Sequence, residues 1–572
     1  MSKKDKKPHN MNILQGHQDS ENSAAPQEPN TPTLTDPEKV SRRRFLTYSA
    51  GVAASLYFPL AACSENGTGP STEGTQSSAE SGTQHESAPT ESPIGQGETP
   101  QNDAGEGLPE ISPQEPNIPE PDIFRDEPFS TEGTIEKAWA ELTPEEKPTP
   151  FTPQKDKEEP SVFPYGVQAG GMRSTSAIVW TYIADKQIKT LKVWRPGPTP
   201  DTVYMDENSV INPNPDGYFK ASIKNLKPGS WYQFAFFDNK GGRSSIGRFR
   251  TAFAPGVLAP LTLGGTTCTK NTYAPFESLE LLAKENIDLF VHLGDMSYND
   301  SAKTLDEYRK MWRGVIKSGG YKELLHRTGY YITWDDHEID NNFNPETMDK
   351  KRLAAGKKAY FETLPVEQGP NNRLWNSYLW GNTAEIFLLD SRSERKPSTR
   401  RSKKPVYIGE AQMKWLKERL AKSPAHFKIL MNSVPMTNMP PLWLSSSDRW
   451  EGYKVQREEL LNHISDNNIK NVWFLSGDFH VGFVSKLEKS GKWSNMYEIA
   501  VGPGDSYPNP FGFAIGGLRD RLIFPKNQFL FGTGSRKNTT TLTFDPKNDT
   551  VHVKFVDAVK KKVLFDKKLK QS

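Results

Sequence analysis

The sequence predicts an α/β fold with layered sheets, preceded by an all-β sandwich, and three observations predict it. Between Ser161 and about Ala254 the chain runs in short alternating apolar and polar stretches, separated by Gly, Pro and Asn turns. After Pro260 the rhythm changes to apolar runs alternating with amphipathic helical patterns. Several of those later runs end directly in carboxylates, where α/β sheets gather their ligands.

At 572 residues the chain exceeds one ordinary domain, and two folded domains are expected beside a low-complexity N-terminal part. Ser41-Arg42-Arg43-Arg44-Phe45-Leu46 leads into a moderately apolar stretch from Thr47 to Ala62. That pattern resembles a twin-arginine export signal, with Arg42 and Arg43 as its pair. It is shorter and less apolar than the ~20 residues a spanning helix needs. Leu60-Ala61-Ala62-Cys63 resembles a lipobox, in which Cys63 becomes the lipidated N-terminus. Residues 1–62 are thus expected to be a signal with a long leading region, and the protein an exported, membrane-anchored one.

Residues 63–120 are Ser, Thr, Gly, Pro, Gln and Glu with almost no large apolar side chain, so they cannot bury enough surface to offset their ordering entropy. They read as a flexible stalk. In the connector 121–160, Ile135, Ala138, Trp139 and Leu142 share a face, predicting one short helix over Thr131 to Leu142.

The sandwich is expected over 161–254. Ala177 to Tyr182, Leu191 to Trp194 and Tyr218 to Ile223 read as strands, and Leu226 to Phe234 resembles the turn and tyrosine-bearing strand of an immunoglobulin-like or fibronectin-like sandwich. The second domain is expected over 255–572. Its strand candidates are Leu261 to Gly264, Ile287 to Leu293, Tyr330 to Trp334, Glu385 to Leu389, Phe427 to Asn432 and Val472 to Leu475. Thr539 to Phe544 and Val551 to Phe555 read as a terminal strand pair.

Charge and cysteine count exclude as much as they suggest. The formal charge of +2 gives no argument for a polyanion partner, and no nucleic acid is implied. With Cys63 at the signal, Cys268 is the one thiol left in the body of the chain, so no disulfide framework is available.

Four clusters carry chemistry. Gly294-Asp295-Met296-Ser297-Tyr298 places a carboxylate at a strand end with a phenol three residues on; Asp295 could bridge two metals or cap the next helix. Trp334-Asp335-Asp336-His337-Glu338, with Asn341-Asn342, gathers acids that need a cation or hydrogen bonds to balance them, unless the loop is solvated. Asp478 and His480 are two apart on an extended segment and so share a face, as site ligands or as a structural pair. Cys268 follows a strand and the turn Gly264-Gly265, as inert filler or as a ligand.

Taken in order, Thr267-Cys268, Gly294-Asp295-Met296-Ser297-Tyr298, Trp334-Asp335-Asp336-His337-Glu338, Leu389-Asp390-Ser391-Arg392 and Gly477-Asp478-Phe479-His480 resemble the PhoD-like alkaline phosphatases, a branch of the calcineurin-like metallophosphoesterases. The resemblance extends to the entry of the sandwich at Phe163-Pro164-Tyr165-Gly166 and to Trp450-Glu451-Gly452-Tyr453. It implies a four-layer α/β/β/α core and a ferric ion, Fe(3+), paired with a divalent ion, Ca(2+) in the best-known members. By position, Cys268, Asp295, Tyr298 and His480 would hold iron, with Asp295 bridging; Asp478 with Asn341 or Asp336 would complete the second site. It also implies hydrolysis of a phosphate ester or diester of the cell envelope by a hydroxide that the metals activate. His337 and Asp336 fall to catalysis, His337 serving the leaving oxygen. Arg392 and Arg395 are expected on the substrate, unless Arg392 pairs with Asp390. Cys268 lies between threonines, where the family has Ser before and a polar amide after. The terminal strands stand where some relatives close the pocket with a helix. A monomer is expected. The reading from another class is a surface lipoprotein that binds a partner through its sandwich and has lost turnover.

Overall fold

A computed structural model describes residues 146–438, 448–506, 509, 527–535 and 537–571. The expected export signal, Cys63, the stalk and the helix over Thr131–Leu142 lie outside the described residues.

The strand-rich module comprises β1 (Thr149–Pro150), β2 (Lys157–Glu158), β3 (Val167–Gly170), β4 (Ala177–Tyr182), β5 (Lys189–Pro196), β6 (Thr202–Ile211), β7 (Tyr218–Ile223), β8 (Trp231–Phe237), β9 (Gly242–Arg243) and β10 (Gly247–Arg250). One sheet has the order β1-β6-β5-β8-β9-β2, with β10 on β8. Alternation sends Val193, Phe234 and Phe249 inward, where they share a core with Val179 of β4 and Ile223 of β7. At the corner before β8, the Lys227 N–H donates to Tyr232 Oη at 2.8 Å, the bond that a tyrosine corner makes. The second face of this sandwich is not a sheet of its own. Strands β3, β4 and β7 are the end of a nine-stranded sheet that continues into the second domain.

That domain contains β11 (Leu261–Thr266), α1 (Glu277–Leu282), β12 (Leu289–His292), α2 (Leu305–Ile316), α3 (Gly319–Leu325), β13 (Tyr330–Ile332), α4 (Lys350–Thr363), β14 (Asn376–Trp380), β15 (Ala384–Leu388), α5 (Glu410–Lys422), β16 (Phe427–Met431), α6 (Lys454–Asp466) and β17 (Val472–Ser476). It closes with β18 (Gly482–Lys486), β19 (Tyr497–Ala500), β20 (Phe529–Thr533), β21 (Asn538–Asp545), β22 (Thr550–Asp557) and β23 (Lys562–Leu569). The nine-stranded sheet runs β23-β22-β21-β11-β12-β13-β3-β4-β7, and a seven-stranded sheet runs β14-β15-β16-β17-β19-β18-β20.

The side-chain period of two makes the layers. Leu263, Leu289 and Val291 of the first sheet meet Ile386, Ile429 and Leu475 of the second in a shared central core. The alternate residues face outward: Phe290, Tyr330 and Ile332 under helices carrying Leu279, Trp312 and Tyr360, and Phe387, Leu430 and Phe474 under helices carrying Leu416 and Leu460. This is the four-layer α/β/β/α arrangement. Helix α2 starts at a capping box in which Thr304 and Glu307 satisfy each other's backbone N–H groups.

β11, β12 and β13 are mutually parallel, as are β15, β16, β17 and β19. The carboxyl ends of the two parallel sets carry Cys268, Asp295 and Asp335 from one sheet and Asp390 and Asp478 from the other.

Candidate metal centre

Each ligand residue is set by a backbone that leaves its strand abruptly. Cys268, Asp295, Asp478 and His480 all lie in the left-handed region, with φ of 53°, 58°, 59° and 55°. Non-glycine residues enter that region at a cost of about 1–2 kcal/mol each, so four in one site mark a geometry held by its surroundings. The glycines of the two Gly-Asp motifs permit the close approach of these turns. Gly294 has φ of 92°, and a Cβ there would stand 2.9 Å from the Asp335 nitrogen; a Cβ on Gly477 would stand 2.6 Å from the Leu293 carbonyl.

Glu338 clamps the loops together. Fully buried, it accepts the N–H groups of Asp295 at 3.0 Å, Met296 at 2.6 Å and Asp335 at 2.8 Å. Thr269 adds a second tie: its N–H donates to the Asp295 carbonyl at 2.9 Å, and its hydroxyl meets Tyr321 Oη of α3 at 2.5 Å. Tyr321 Oη in turn meets His292 Nε2 at 2.8 Å.

The donor atoms fall into three overlapping groups, each with all members within 4.8 Å of one another: Cys268, Asp295 and His480; Asp295, Asp336 and His337; Asp335, Asp336 and Asp478. Cys268 Sγ and Tyr298 Oη each lie 3.4 Å from Asp295 Oδ2, and Tyr298 Oη lies 3.3 Å from His480 Nε2. Asp295 belongs to two of the groups, as a bridging carboxylate must. Its Oδ1 and the Oδ2 of Asp335 are buried without a hydrogen-bond partner among the described residues, an arrangement a cation would satisfy. Burial pushes the Cys268 thiol, the Asp295 carboxyl and the Tyr298 phenol well above their ordinary ranges; for Cys268 and Tyr298 the Asp295 charge adds to it. A bound cation would favour their ionised, ligating forms.

Burial alone would raise Asp336, but Arg392 and His337 hold it at about 2. Burial would lower His337, yet Asp295, Asp336 and Asp300 raise it to about 10. The His337 ring stacks on Tyr298 with centroids 4.0 Å apart, and its Nδ1 lies 2.7 Å from Asp300 Oδ1.

The two arginines expected on the substrate make contacts within the protein. Arg392 is wholly buried, and its guanidinium bonds Asp335 and Asp448, Asp478 at 2.9 Å and Asp336 at 3.3 Å. Only its backbone N–H reaches Asp390, at 3.1 Å. Arg395 bonds the same Asp448 carboxylate and donates to the Phe343 carbonyl at 2.6 Å. Both guanidinium groups are therefore committed to the protein, because the crowded carboxylates need an internal cation more than an exposed one. Asn341 stands exposed on the loop, while Asp336 is buried within the cluster; the neighbouring Asn342 N–H donates to Asp336.

Several functional residues escape sequence reasoning. Asp335 and Glu338 lay in a quoted motif without an assigned role. Asp448 stands two residues before Trp450-Glu451-Gly452-Tyr453 and outside that motif. Ser506 Oγ, 3.3 Å from Tyr298 Oη and 3.2 Å from His480 Nε2, sits in a segment without any ligand pattern.

Comparison with known proteins places these features in a wider setting. Residues 263–511 match the family model of the PhoD-like phosphatase, and residues 148–253 match the PhoD-like phosphatase N-terminal domain. The chain is 28% identical over 386 residues to alkaline phosphatase D of Bacillus subtilis (strain 168), covering 57% of this chain and 65% of that protein. The chain thus spans somewhat less than two thirds of that relative. A solved structure of PhoD superposes with a TM-score of 0.60 at 23% identity, covering 68% of this chain and 86% of that one. A purple acid phosphatase from yellow lupin (Lupinus luteus) seeds superposes with a TM-score of 0.50 at 13% identity, covering 71% of this chain and 74% of that one.

Proposed function

Because the chain belongs to the PhoD-like phosphatase family, we propose that it is an exported, metal-dependent hydrolase of phosphate esters, acting on diesters in preference to monoesters. The observation that carries this reading is the Asp295 carboxylate, which stands in one group with Cys268 and His480, beside the Tyr298 phenol, and in another with Asp336 and His337, its Oδ1 buried and without a hydrogen-bond partner among the described residues.

The donor chemistry supports a different ion on each side. Cys268, Tyr298 and His480 suit ferric iron; Asp478 and Asp336, with oxygen donors alone, suit a harder divalent ion such as calcium. When bound, such a pair supplies charge to polarise a phosphoryl group and a nucleophile at neutral pH. The chain's own residues do the rest. Glu338 and Thr269 fix the Asp295 turn, and Arg392 balances the carboxylates. His337, oriented by Asp300 at its Nδ1, would offer the proton at Nε2 to the leaving oxygen. With these donor positions all filled, nothing supports a binding protein that has lost turnover. Export by a twin-arginine signal and anchoring through Cys63 remain part of the proposal, resting on the sequence.

The test is hydrolysis of bis(p-nitrophenyl) phosphate against p-nitrophenyl phosphate by the purified chain, with metal content measured on the same sample. Faster diester cleavage with about two metals per chain supports the proposal. Cys268→Ala is expected to lose iron and most activity; full activity with the iron gone would overturn the ligand assignment.

A further inference from the structure

The net charge of the chain is near zero, but its distribution is not even. From Arg395 to Gly409 there are six basic residues and no acidic one. Lys396, Arg401, Lys403 and Lys404 are exposed and Arg400 partly so, and none of the five forms an ion pair among the described residues. Like charges held this close repel one another and favour any partner that neutralises them.

The loop is built, not slack. Its base is closed by the Lys396 N–H bonding the Val406 carbonyl at 2.8 Å; Ser402 N–H bonds the Thr399 carbonyl at 2.8 Å, and Thr399 Oγ1 accepts the Val406 N–H at 2.9 Å. It is also tied to the rim of the metal centre. Glu346, the carboxylate that meets the loop, accepts the Ser398 N–H at 2.8 Å and its hydroxyl at 2.5 Å. On that same 341–346 segment Phe343 receives Arg395 and Asn342 bonds Asp336 of the centre. Asn341 and Asn342 are exposed. The segment that carries the two exposed asparagines thus adjoins the buried Asp336 carboxylate at one end and the base of the cationic loop at the other.

We infer that loop 396–404 is an accessory anion-binding site that holds a second, remote anionic group of the substrate, so that polyphosphodiester chains bind where isolated esters do not reach. This rests on the reading of the metal centre as a phosphate-ester site. A membrane surface is the less fitting partner, because no large apolar side chain is exposed on the loop to enter it. With up to five phosphate contacts on a single strand, affinity should fall about a hundredfold between about 50 and 200 mM salt.

The experiment measures binding of a fluorescent thymidine decamer, as a generic polyphosphodiester, to the full-length chain and to a variant combining Arg400→Gln, Arg401→Gln, Lys403→Gln and Lys404→Gln. The variant is expected to bind at least tenfold more weakly, with the salt slope shallower by roughly 3, and to cleave bis(p-nitrophenyl) phosphate within twofold of the parent. An unchanged decamer affinity and slope overturns the inference. So does an equal loss on the small diester, which would mean that the loop shapes the centre. Loop-dependent capture by anionic phospholipid vesicles without decamer binding also overturns it, in favour of a membrane. Binding is read without turnover, so a chain silent toward both small esters yet binding the decamer through the loop would sink the phosphoesterase reading and keep the accessory site.

Discussion

Arg392 illustrates how a single side chain sets the charge of the centre. Four carboxylates crowd around it, and a guanidinium with five donors in a plane is the group that can serve them together. Replacing it by Met keeps the bulk and removes the charge. Metal-free Arg392→Met is expected to lose about 3–5 kcal/mol, because buried carboxylates are left uncompensated, and to recover more stability on adding divalent ions than the parent does. Denaturant unfolding with and without a chelator measures both. An equal loss in the two conditions would mean that Arg392 acts through packing alone. At this scale Asp295 and Asp478 were legible as candidate ligands because each follows a glycine just past a strand end, whereas Cys268 and His480 stood out only within the ordered set of motifs, and Gly264-Gly265, expected as a turn, lie inside β11. Asp448 was not, since it joins Arg392 only through the fold, across 56 positions of sequence.

Among the elements, β12 and α3 show how the Cys268 turn is kept in place. His292 ends β12 wholly buried; its Nε2 meets Tyr321 Oη, its Nδ1 has no partner, and burial pushes its pKa down to about 3. In the unfolded chain a histidine binds its proton near 6.5, so the unfolded state gains protons as the pH falls from 6.5 toward 3 while the folded state does not. Stability is therefore lost over that window, by roughly 2–3 kcal/mol at about pH 4.5. The measurement is unfolding free energy against pH for the parent and His292→Gln; the variant should show a slope flatter by about one proton. Matching slopes would remove His292 from the acid limb.

Element type was readable where apolar runs are dense, as in Leu289 to Leu293 or Val472 to Leu475. β14, β18 and β19 were not singled out, for they are short and mix polar residues into the pattern: Asn376-Ser377-Tyr378-Leu379-Trp380 is held by pairing with β15. β3 follows directly on the entry to the module, Phe163 to Gly166, and does not stand out as a strand by itself. No local signal could say that it would pair with β13 in the nine-stranded sheet, since that register joins Tyr330 to Gly170.

At the scale of the molecule, the sandwich and the α/β domain are bound into one structure. Trp180 of β4 donates to the Glu362 carbonyl at 2.7 Å at the end of α4, and Tyr331 Oη donates to Met172. Arg309 bonds Asp216 at 2.7 Å and Glu362 at 2.8 Å, and Arg250 bonds Asp288 at 2.6 Å. A fragment starting at residue 255 would bare the β13 edge and leave Tyr330 Oη and Tyr331 Oη without Gln168 and Met172, which favours association over folding. Residues 146–572 are expected to unfold in a single calorimetric transition, and the fragment 255–572 to be insoluble or unfolded. A soluble fragment with the parent's melting temperature would refute that integration.

The four left-handed ligand residues have a consequence on the timescale of descent. Glycine or asparagine at those positions would relieve backbone strain and raise stability, so on the proposed reading only continued use as ligands holds Cys268, Asp295, Asp478 and His480 against that drift. Lineages of this fold that abandon catalysis should accumulate Gly and Asn at these four sites first, making their loss a dated record of lost function.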